Sequence, residues 1–172
     1  MKRLLIALAL VIVLMMPAVP VLATPGTTQD ITVTATPALV AIEANQSSYD
    51  FGYVQESETP YTATDWCTID NTSNIQTDQT ISVLSATWEG GATDWTHDDT
   101  GTPGTNTVGL LANKGGTWGV GDVIVKYASP NYIAENQTAD TDYSFGLKLL
   151  APTTISFYTQ QQITVRITAA PG

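Results

Sequence analysis

Alternation of apolar and polar residues along short segments is the feature that most constrains the fold of this chain. Successive side chains of a β-strand point to opposite faces, so this alternation predicts strands with one buried face. The last such segment is 163–168, in which Ile163, Val165 and Ile167 alternate with polar residues. The same pattern occurs in residues 31–36, 67–69, 80–83, 123–127 and 143–149.

Turn-forming residues separate these segments. The predicted turns, rich in Asn, Ser, Gly and Pro, lie at residues 45–48, 71–74, 89–91 and 102–104. No stretch after residue 23 repeats apolar residues at helical spacing over ten or more positions. We therefore predict an all-β fold with almost no helix, an antiparallel Ig-like or jelly-roll-like β-sandwich of about eight strands.

Residues 87–121 are the least strand-like part of the chain after the first 23 residues. They are rich in Gly and Thr and contain three of the four tryptophans. We expect long connections between two sheets here, with a short hairpin. We also expect Leu110 and Leu111 to pack into the core.

The chain begins with the pattern of a secretory signal peptide. Lys2 and Arg3 precede an apolar run over residues 4–16, and the small residue Ala23 suits cleavage. The run is shorter than the roughly 20 residues that a membrane-spanning helix needs. We predict a cleaved signal peptide at 1–23, a flexible leader at 24–30 and a single β-sandwich domain at 31–172. The mature protein is expected to be secreted or held at the cell surface by its neighbours, with no membrane segment.

The charge of the mature chain disfavours two classes of partner. Removal of the signal peptide leaves four basic against sixteen acidic residues, a formal charge of −12. Nucleic acid and anionic lipid would repel so acidic a chain, so neither is an expected partner. A cationic partner or a divalent ion stays open, although surface charge usually serves solubility.

Cys67 is the only cysteine, so the chain cannot form an internal disulfide. Its position between Trp66 and Thr68 in an alternating run predicts a buried, unreactive thiol. A reactive thiol or an intermolecular disulfide is the alternative for an unpaired cysteine in an exported protein.

Residues 44–85 carry a resemblance to a known family. A small polar turn precedes Phe51 and Gly52, and the strand that follows closes on Asn71-Thr72-Ser73 before another alternating strand at 79–83. This order resembles the Ig-like modules of the ASPM–SPD-2–Hydin type and their bacterial surface relatives. The resemblance implies an Ig-like sandwich and says little about function.

No combination of residues predicts catalysis. His97 is the only histidine, and it lies in a polar segment with no Gly-x-Ser-x-Gly turn elsewhere in the chain. Since a lone histidine is not a catalytic constellation, we predict no catalytic residues and no enzyme activity.

The segment around His97 also offers oxygen ligands. Asp94, Asp98 and Asp99 are hard donors of the kind that Ca²⁺ prefers, and loop carbonyls can complete its coordination. The spacing fits no EF-hand, so calcium bound by these three aspartates is a hypothesis from ligand type alone. No other cofactor is expected.

The tryptophans suggest a surface glycan as a partner. Trp88, Trp95 and Trp118 would stack on sugar rings if they were exposed, which would make the protein a carbohydrate-binding module. Tryptophans in such loops serve at least as often to cover a core.

Three Asn-x-Ser/Thr sequences are possible glycosylation sites. They begin at Asn45, Asn71 and Asn136, and all three fall in predicted turns. About two would be expected by chance in a chain of this composition, so they carry no functional signal.

The two ends of the mature chain suggest assembly. Residues 31–36 place Ile31, Val33 and Ala35 on one face, and residues 163–168 repeat this pattern with Arg166 as the only charge. Monomeric proteins usually protect such edges with lysine, proline or bulges. Pro37 separates the first segment from the rest of the domain, so that segment could pair with a neighbouring copy or within its own sheet.

From these features we predict a secreted structural subunit of a surface filament, pilus or adhesive layer. Its expected partner is another copy of the chain, joined by donation of a β-strand. The alternative is a secreted carbohydrate-binding module that uses the Trp-rich segment.

Overall fold

A computed structural model describes residues 32, 34–90, 93–127 and 129–172 of the chain. The predicted signal peptide, the leader, and Ile31 and Val33 of the predicted donor strand lie outside the described residues. Pro37–Gly172 form one compact unit. The part of the chain that the structure describes contains no helix long and apolar enough to cross a membrane.

The fold is all-β, as predicted, and the described residues form ten strands. In chain order the strands are β1 (Ile42–Ala44), β2 (Cys67–Asn71), β3 (Thr77–Val83), β4 (Thr87–Trp88), β5 (Trp95–His97), β6 (Thr107–Asn113), β7 (Asp122–Ile124), β8 (Asn131–Gln137), β9 (Thr141–Leu150) and β10 (Val165–Pro171).

The strands form a larger and a smaller sheet. The larger sheet has the order β1-β2-β9-β6-β5-β4, and β7 also pairs with β6. The smaller sheet has the order β10-β3-β8. Among the ten described strands, every pairing is antiparallel except that between β5 and β6, which is parallel and departs from the expected all-antiparallel arrangement.

Alternating side chains of both sheets form one contiguous apolar core. Leu110 of β6 lies opposite Leu149 of β9, and both are buried. Ile81 and Val83 supply the equivalent face of β3. Full burial of each such side chain contributes about 1.5–3 kcal/mol, so burial of these residues stabilises the fold.

The expectation for residues 87–121 was partly wrong. The short hairpin exists as β4 and β5, but β6 is a central strand rather than a connection. Gly109 and the adjacent Leu110 and Leu111 interrupt the alternation that would have identified it. Gly109 leaves room for a neighbouring side chain, because a Cβ there would lie 3.1 Å from Leu150 Cδ1. Leu110 packs in the core as expected, whereas Leu111 is only half-buried.

Strand boundaries also differ from the predictions. The strand predicted at 163–168 begins at Val165, and the one predicted at 123–127 ends at Ile124. No apolar–polar alternation in the sequence predicted β8. This strand pairs with β3, and the register shifts along the pairing. In the predicted strand 31–36, the described residues Thr32 and 34–36 are exposed and lie in no strand.

Polar side chains occupy the end of the core where β3 begins. Asn71 Nδ2 donates to the carbonyl oxygens of Gln137 and Thr138, both at 3.0 Å. Gln79 Nε2 donates to Gln137 Oε1, while Gln79 Oε1 has no hydrogen-bond partner among the described atoms. Apolar packing therefore gives way to a hydrogen-bonded layer at this end.

Candidate functional site

A cleft of about 1600 Å³ lies between the two sheets. Its volume exceeds the roughly 300–1,000 Å³ of most small-molecule pockets. Apolar side chains of both sheets line it, including Ile69, Leu110, Leu147 and Leu149 from the larger sheet and Val165 and Ile167 from the smaller one. The core is thus incompletely filled along this side.

The alternating face of β10 forms one wall of the cleft. Val165 and Ile167 are only half-buried there, while Arg166 and Thr168 are exposed on the opposite face. Ile163 precedes the strand and also lines the cleft, where Gln162 and Glu89 exchange two backbone hydrogen bonds of 2.8 and 2.9 Å. The sequence correctly placed Ile163, Val165 and Ile167 together on one face.

The free edge of β10 borders this cleft. β10 pairs with β3 through the full register from Val165↔Val83 to Pro171↔Thr77. Within the described ranges no strand pairs with its other side. Its outward backbone N–H and C=O groups can therefore pair with an additional strand.

Aromatic side chains surround the mouth of the cleft. Tyr49 packs edge-on against Phe51 and Trp66, with ring centroids 4.9 and 5.2 Å apart. Tyr53 and Tyr158 also line the cleft and are almost completely exposed. Exposed aromatic residues beside an apolar groove are typical of a surface that another protein covers.

Hydrogen bonds with Ser73 and Asn74 hold the chain at residues 37–41. Asn74 Nδ2 donates to the Pro37 carbonyl at 2.9 Å, and Asn74 Oδ1 accepts from Leu39 N at 2.7 Å. Ser73 Oγ accepts from Ala41 N at 2.8 Å. The described residue Ala35, two positions before Pro37, is exposed and lies in no strand.

Cys67 lies on the floor of the cleft and is 4% exposed. Burial is the main cause that raises the pKa of its thiol. A thiol with a raised pKa forms less thiolate, so this environment favours the unreactive cysteine rather than the reactive alternative.

The structure does not bring the three tryptophans into one sugar-binding surface. Trp88 and Trp95 are buried core residues whose rings are tilted by 48° at a centroid distance of 6.5 Å. Trp118 is separate and packs near Tyr61, at 5.8 Å between centroids. Since sugar stacking needs an exposed ring face, Trp88 and Trp95 serve the core instead.

His97 is a structural residue inside the fold. The Trp88 indole Nε1 donates to His97 Nδ1 at 3.4 Å, and His97 Nε2 lies 2.8 Å from the Val125 carbonyl oxygen. Because an indole N–H can only donate, Nδ1 accepts and Nε2 carries the proton. Its side chain has no exposed surface, so no substrate reaches it.

The three aspartates proposed for calcium stabilise separate turns. Asp94 accepts from Gly90 N, and the Asp98 carboxylate accepts from Thr100 and Thr102. Hydrogen bonds from Thr102 and Thr100 lower the pKa of Asp98 although desolvation opposes them. Asp99 Oδ1 accepts from Tyr127 N at 2.7 Å and lies 3.6 Å from His97 Nε2.

The calcium hypothesis at this segment stays a prediction. Among the described residues, no group of three or more His, Cys, Asp or Glu side chains is placed to hold a metal ion. The hydrogen bonds of each carboxylate account for its position in a turn.

The three sequon asparagines have different environments. Asn45 and Asn136 are exposed, whereas Asn71 is 1% exposed and uses its amide to bind two carbonyl groups. Asn71 is therefore inaccessible to a glycosylating enzyme in the folded domain.

Two features of the structure were not anticipated from the sequence. Phe51, Val54 and Phe157 contribute to the cleft from loops, where no periodicity marks an apolar residue as a wall. Lys148 and Asp122, which do not line the cleft, form an ion pair of 3.8 Å. Only the three-dimensional pairing of distant segments reveals either feature.

Comparison with protein-family models, curated proteins and solved structures gave no match. The resemblance of residues 44–85 to Ig-like modules of the ASPM–SPD-2–Hydin type therefore stays a prediction.

Proposed function

We propose that this protein is a secreted structural subunit of a surface filament, pilus or adhesive layer, and that its copies join by donation of a β-strand. The observation that supports this proposal is the apolar cleft beside the free edge of β10. In this proposal the fold is an Ig-like β-sandwich that lacks one strand at that edge.

Residues 31–36 match this vacant position in chemistry and length. In a donated strand this pattern would direct Ile31, Val33 and Ala35 toward the half-buried Val165 and Ile167. Six residues of strand extend about 20 Å, close to the length of the seven-residue β10. Backbone hydrogen bonds along β10 would supply affinity, and the alternate side chains in the cleft would supply specificity.

Burial makes donation favourable. Transfer of an Ile or Val side chain from water into the cleft contributes about 1.5–3 kcal/mol, and the half-buried face of β10 gains further burial. The exposed face of β10 carries only Arg166 as a charge, which leaves the edge weakly protected against pairing.

Deletion of residues 24–36 tests the proposal. We expect the mature chain to form polymers that electron microscopy and sedimentation detect, and the truncated chain to stay monomeric. Val33→Asp should have the same effect because it places a charge in the cleft. Thr34→Asp, on the opposite face, is the matched control and should still assemble.

A peptide of residues 27–36 provides a second measurement. Added to the truncated chain, it should raise the melting temperature in a concentration-dependent way, since a ligand that binds only the folded state stabilises it. The Val33→Asp peptide should not. Polymers of the truncated chain, or a melting temperature that the native peptide leaves unchanged, would contradict strand donation.

A further inference from the structure

Three polar residues meet on the outer side of the larger sheet. Asn113 lies on β6, Asp122 on β7 and Lys148 on β9, and β6 runs between the other two strands. Asn113 is the register partner of both Asp122 and Gly146. Lys148 is therefore a diagonal neighbour of Asn113 on the same face, within reach of a long side chain.

The Asp122 carboxylate contacts both other residues. Its Oδ2 lies 3.8 Å from Lys148 Nζ, and its Oδ1 accepts a hydrogen bond of 2.6 Å from Asn113 Nδ2. One carboxylate thus stands between a primary amine and a carboxamide. Asp122 thus links the two groups, and proton transfer from Lys148 needs the 3.8 Å separation to shorten to hydrogen-bond distance.

The cluster is largely shielded from water. Asn113 is completely buried, and the side chains of Lys148 and Asp122 are only 18% and 14% exposed. The Trp118 ring covers Lys148, with Nζ 4.6 Å from the ring centroid. Exclusion of water protects a reactive amine and strengthens the electrostatic effects of neighbouring groups.

The Asn113 carboxamide is also polarised. Gly115 N donates to Asn113 Oδ1 at 2.9 Å, so a backbone N–H already points at the oxygen on which negative charge would develop during attack at Cγ. Such a donor stabilises the tetrahedral intermediate of acyl transfer.

We propose that Lys148 and Asn113 react with each other to form an intramolecular amide cross-link between β9 and β6. The Lys148 ammonium gives a proton to Asp122, and the neutral Nζ attacks Asn113 Cγ. The Cγ–Nδ2 bond then breaks. Nδ2 receives one proton from Nζ and the proton held by Asp122, and it leaves as ammonium. The products are one Nζ–Cγ amide and one ammonium ion, so atoms and charge balance without an oxidant or other co-reactant.

The cross-link does not depend on strand donation. It joins two central strands of the larger sheet within one copy, away from the free edge of β10. The chain can therefore be cross-linked whether or not its copies assemble.

The intact mass of the secreted, folded protein tests this inference. We expect a mass lower by one ammonia molecule than that calculated from the sequenced amino terminus. Tandem mass spectrometry of a digest should find residues 113 and 148 in one branched peptide. Lys148→Arg, Asn113→Ala and Asp122→Ala should each restore the full calculated mass.

Two controls separate the cross-link from other reactions. Lys126→Arg removes a lysine outside the trio and should keep the mass deficit. A cyclic imide at Asn113 also loses ammonia, but it would persist in Lys148→Arg. A folded wild-type protein at full mass, or a deficit that survives Lys148→Arg, would overturn the inference.

Discussion

Single residues in this protein are best understood from the hydrogen bonds that they complete. His97 satisfies two buried groups on different segments, the indole N–H of Trp88 and the carbonyl oxygen of Val125. In the sequence the same residue stood out only as a lone histidine among aspartates. Its role depends on the contact between β5 and the segment that contains Val125. No local sequence pattern predicts this contact.

His97→Ala should destabilise the domain. The change leaves two buried polar groups without partners, at a cost of about 1–3 kcal/mol for each. Urea unfolding followed by tryptophan fluorescence measures the loss. Thr96→Ala, an exposed neighbour on β5, is the control and should change stability little. Equal stability of the two variants would show that the hydrogen bonds of His97 contribute nothing.

An acidic ladder crosses the outer face of β1, β2 and β9. Glu43 lies opposite Asp70, and Asp70 lies opposite Asp142. The hydrogen bond with Asp142 raises the pKa of Asp70 above its ordinary value of 3.8, and the negative charges of Asp142 and Glu43 add to this effect. The folded state therefore holds a proton on Asp70 more readily than the unfolded state does.

This shift predicts a pH-dependent effect of Asp70→Asn. Because the folded pKa is raised, the group favours folding at low pH and this contribution is lost as the pH rises through the raised pKa. Asp70→Asn should therefore raise the melting temperature near pH 7, and its advantage should shrink as the pH falls toward 4. Asp65→Asn, an exposed aspartate outside the ladder, should show no such trend. An advantage for Asp70→Asn that is constant from pH 7 to pH 4 would contradict the prediction.

At the scale of strands, β9 shows how one element organises its neighbours. It pairs with β2 and β6. The segment at residues 60–62 also bonds to it: Thr62 N donates to the Leu147 carbonyl oxygen and Leu147 N donates to Thr62 Oγ1, both at 2.9 Å. Gly146 permits this close crossing. A Cβ there would overlap the Ala63 carbonyl oxygen and lie 3.0 Å from Thr64 Cα.

Gly146→Ala should accordingly weaken the fold. The methyl group meets backbone atoms that cannot move aside cheaply, and overpacking of this kind costs about 1–3 kcal/mol. Thermal unfolding monitored by circular dichroism measures the effect. Ser144→Ala, two residues earlier on the same strand face, is the comparison and should cost less. A melting temperature equal to that of the wild type would show that the crossing segment yields freely.

Strands were predictable where one face is buried and the other exposed. Ile69, Ile81 and Val165 belong to such strands and were identified from alternation. Leu110 and Ile133 belong to β6 and β8, which alternation did not identify. In β6, Gly109 leaves room for Leu150 and so interrupts the local pattern.

At the scale of the whole molecule, the candidate site depends on what the two sheets leave unfilled. The apolar face at residues 163–167 could be predicted from the sequence, and its edge position was suspected from its place near the chain end. The cleft itself could not be predicted, because it depends on how far the sheets lie apart and which strand is last in each. Phe51 and Phe157 reach it from loops that carry no periodic signal.

The turn at residues 72–76 holds both ends of the described domain. Asn74 binds Pro37, and the Gly172 amide donates to the Gln76 carbonyl at 3.0 Å. A tail that folded back into its own cleft would end where β10 ends and run parallel to it. A tail from a different molecule is free to run antiparallel, which is the slightly more stable pairing per residue. If residues 31–36 are the donor strand that we propose, this difference in strand direction would favour exchange between molecules over self-insertion.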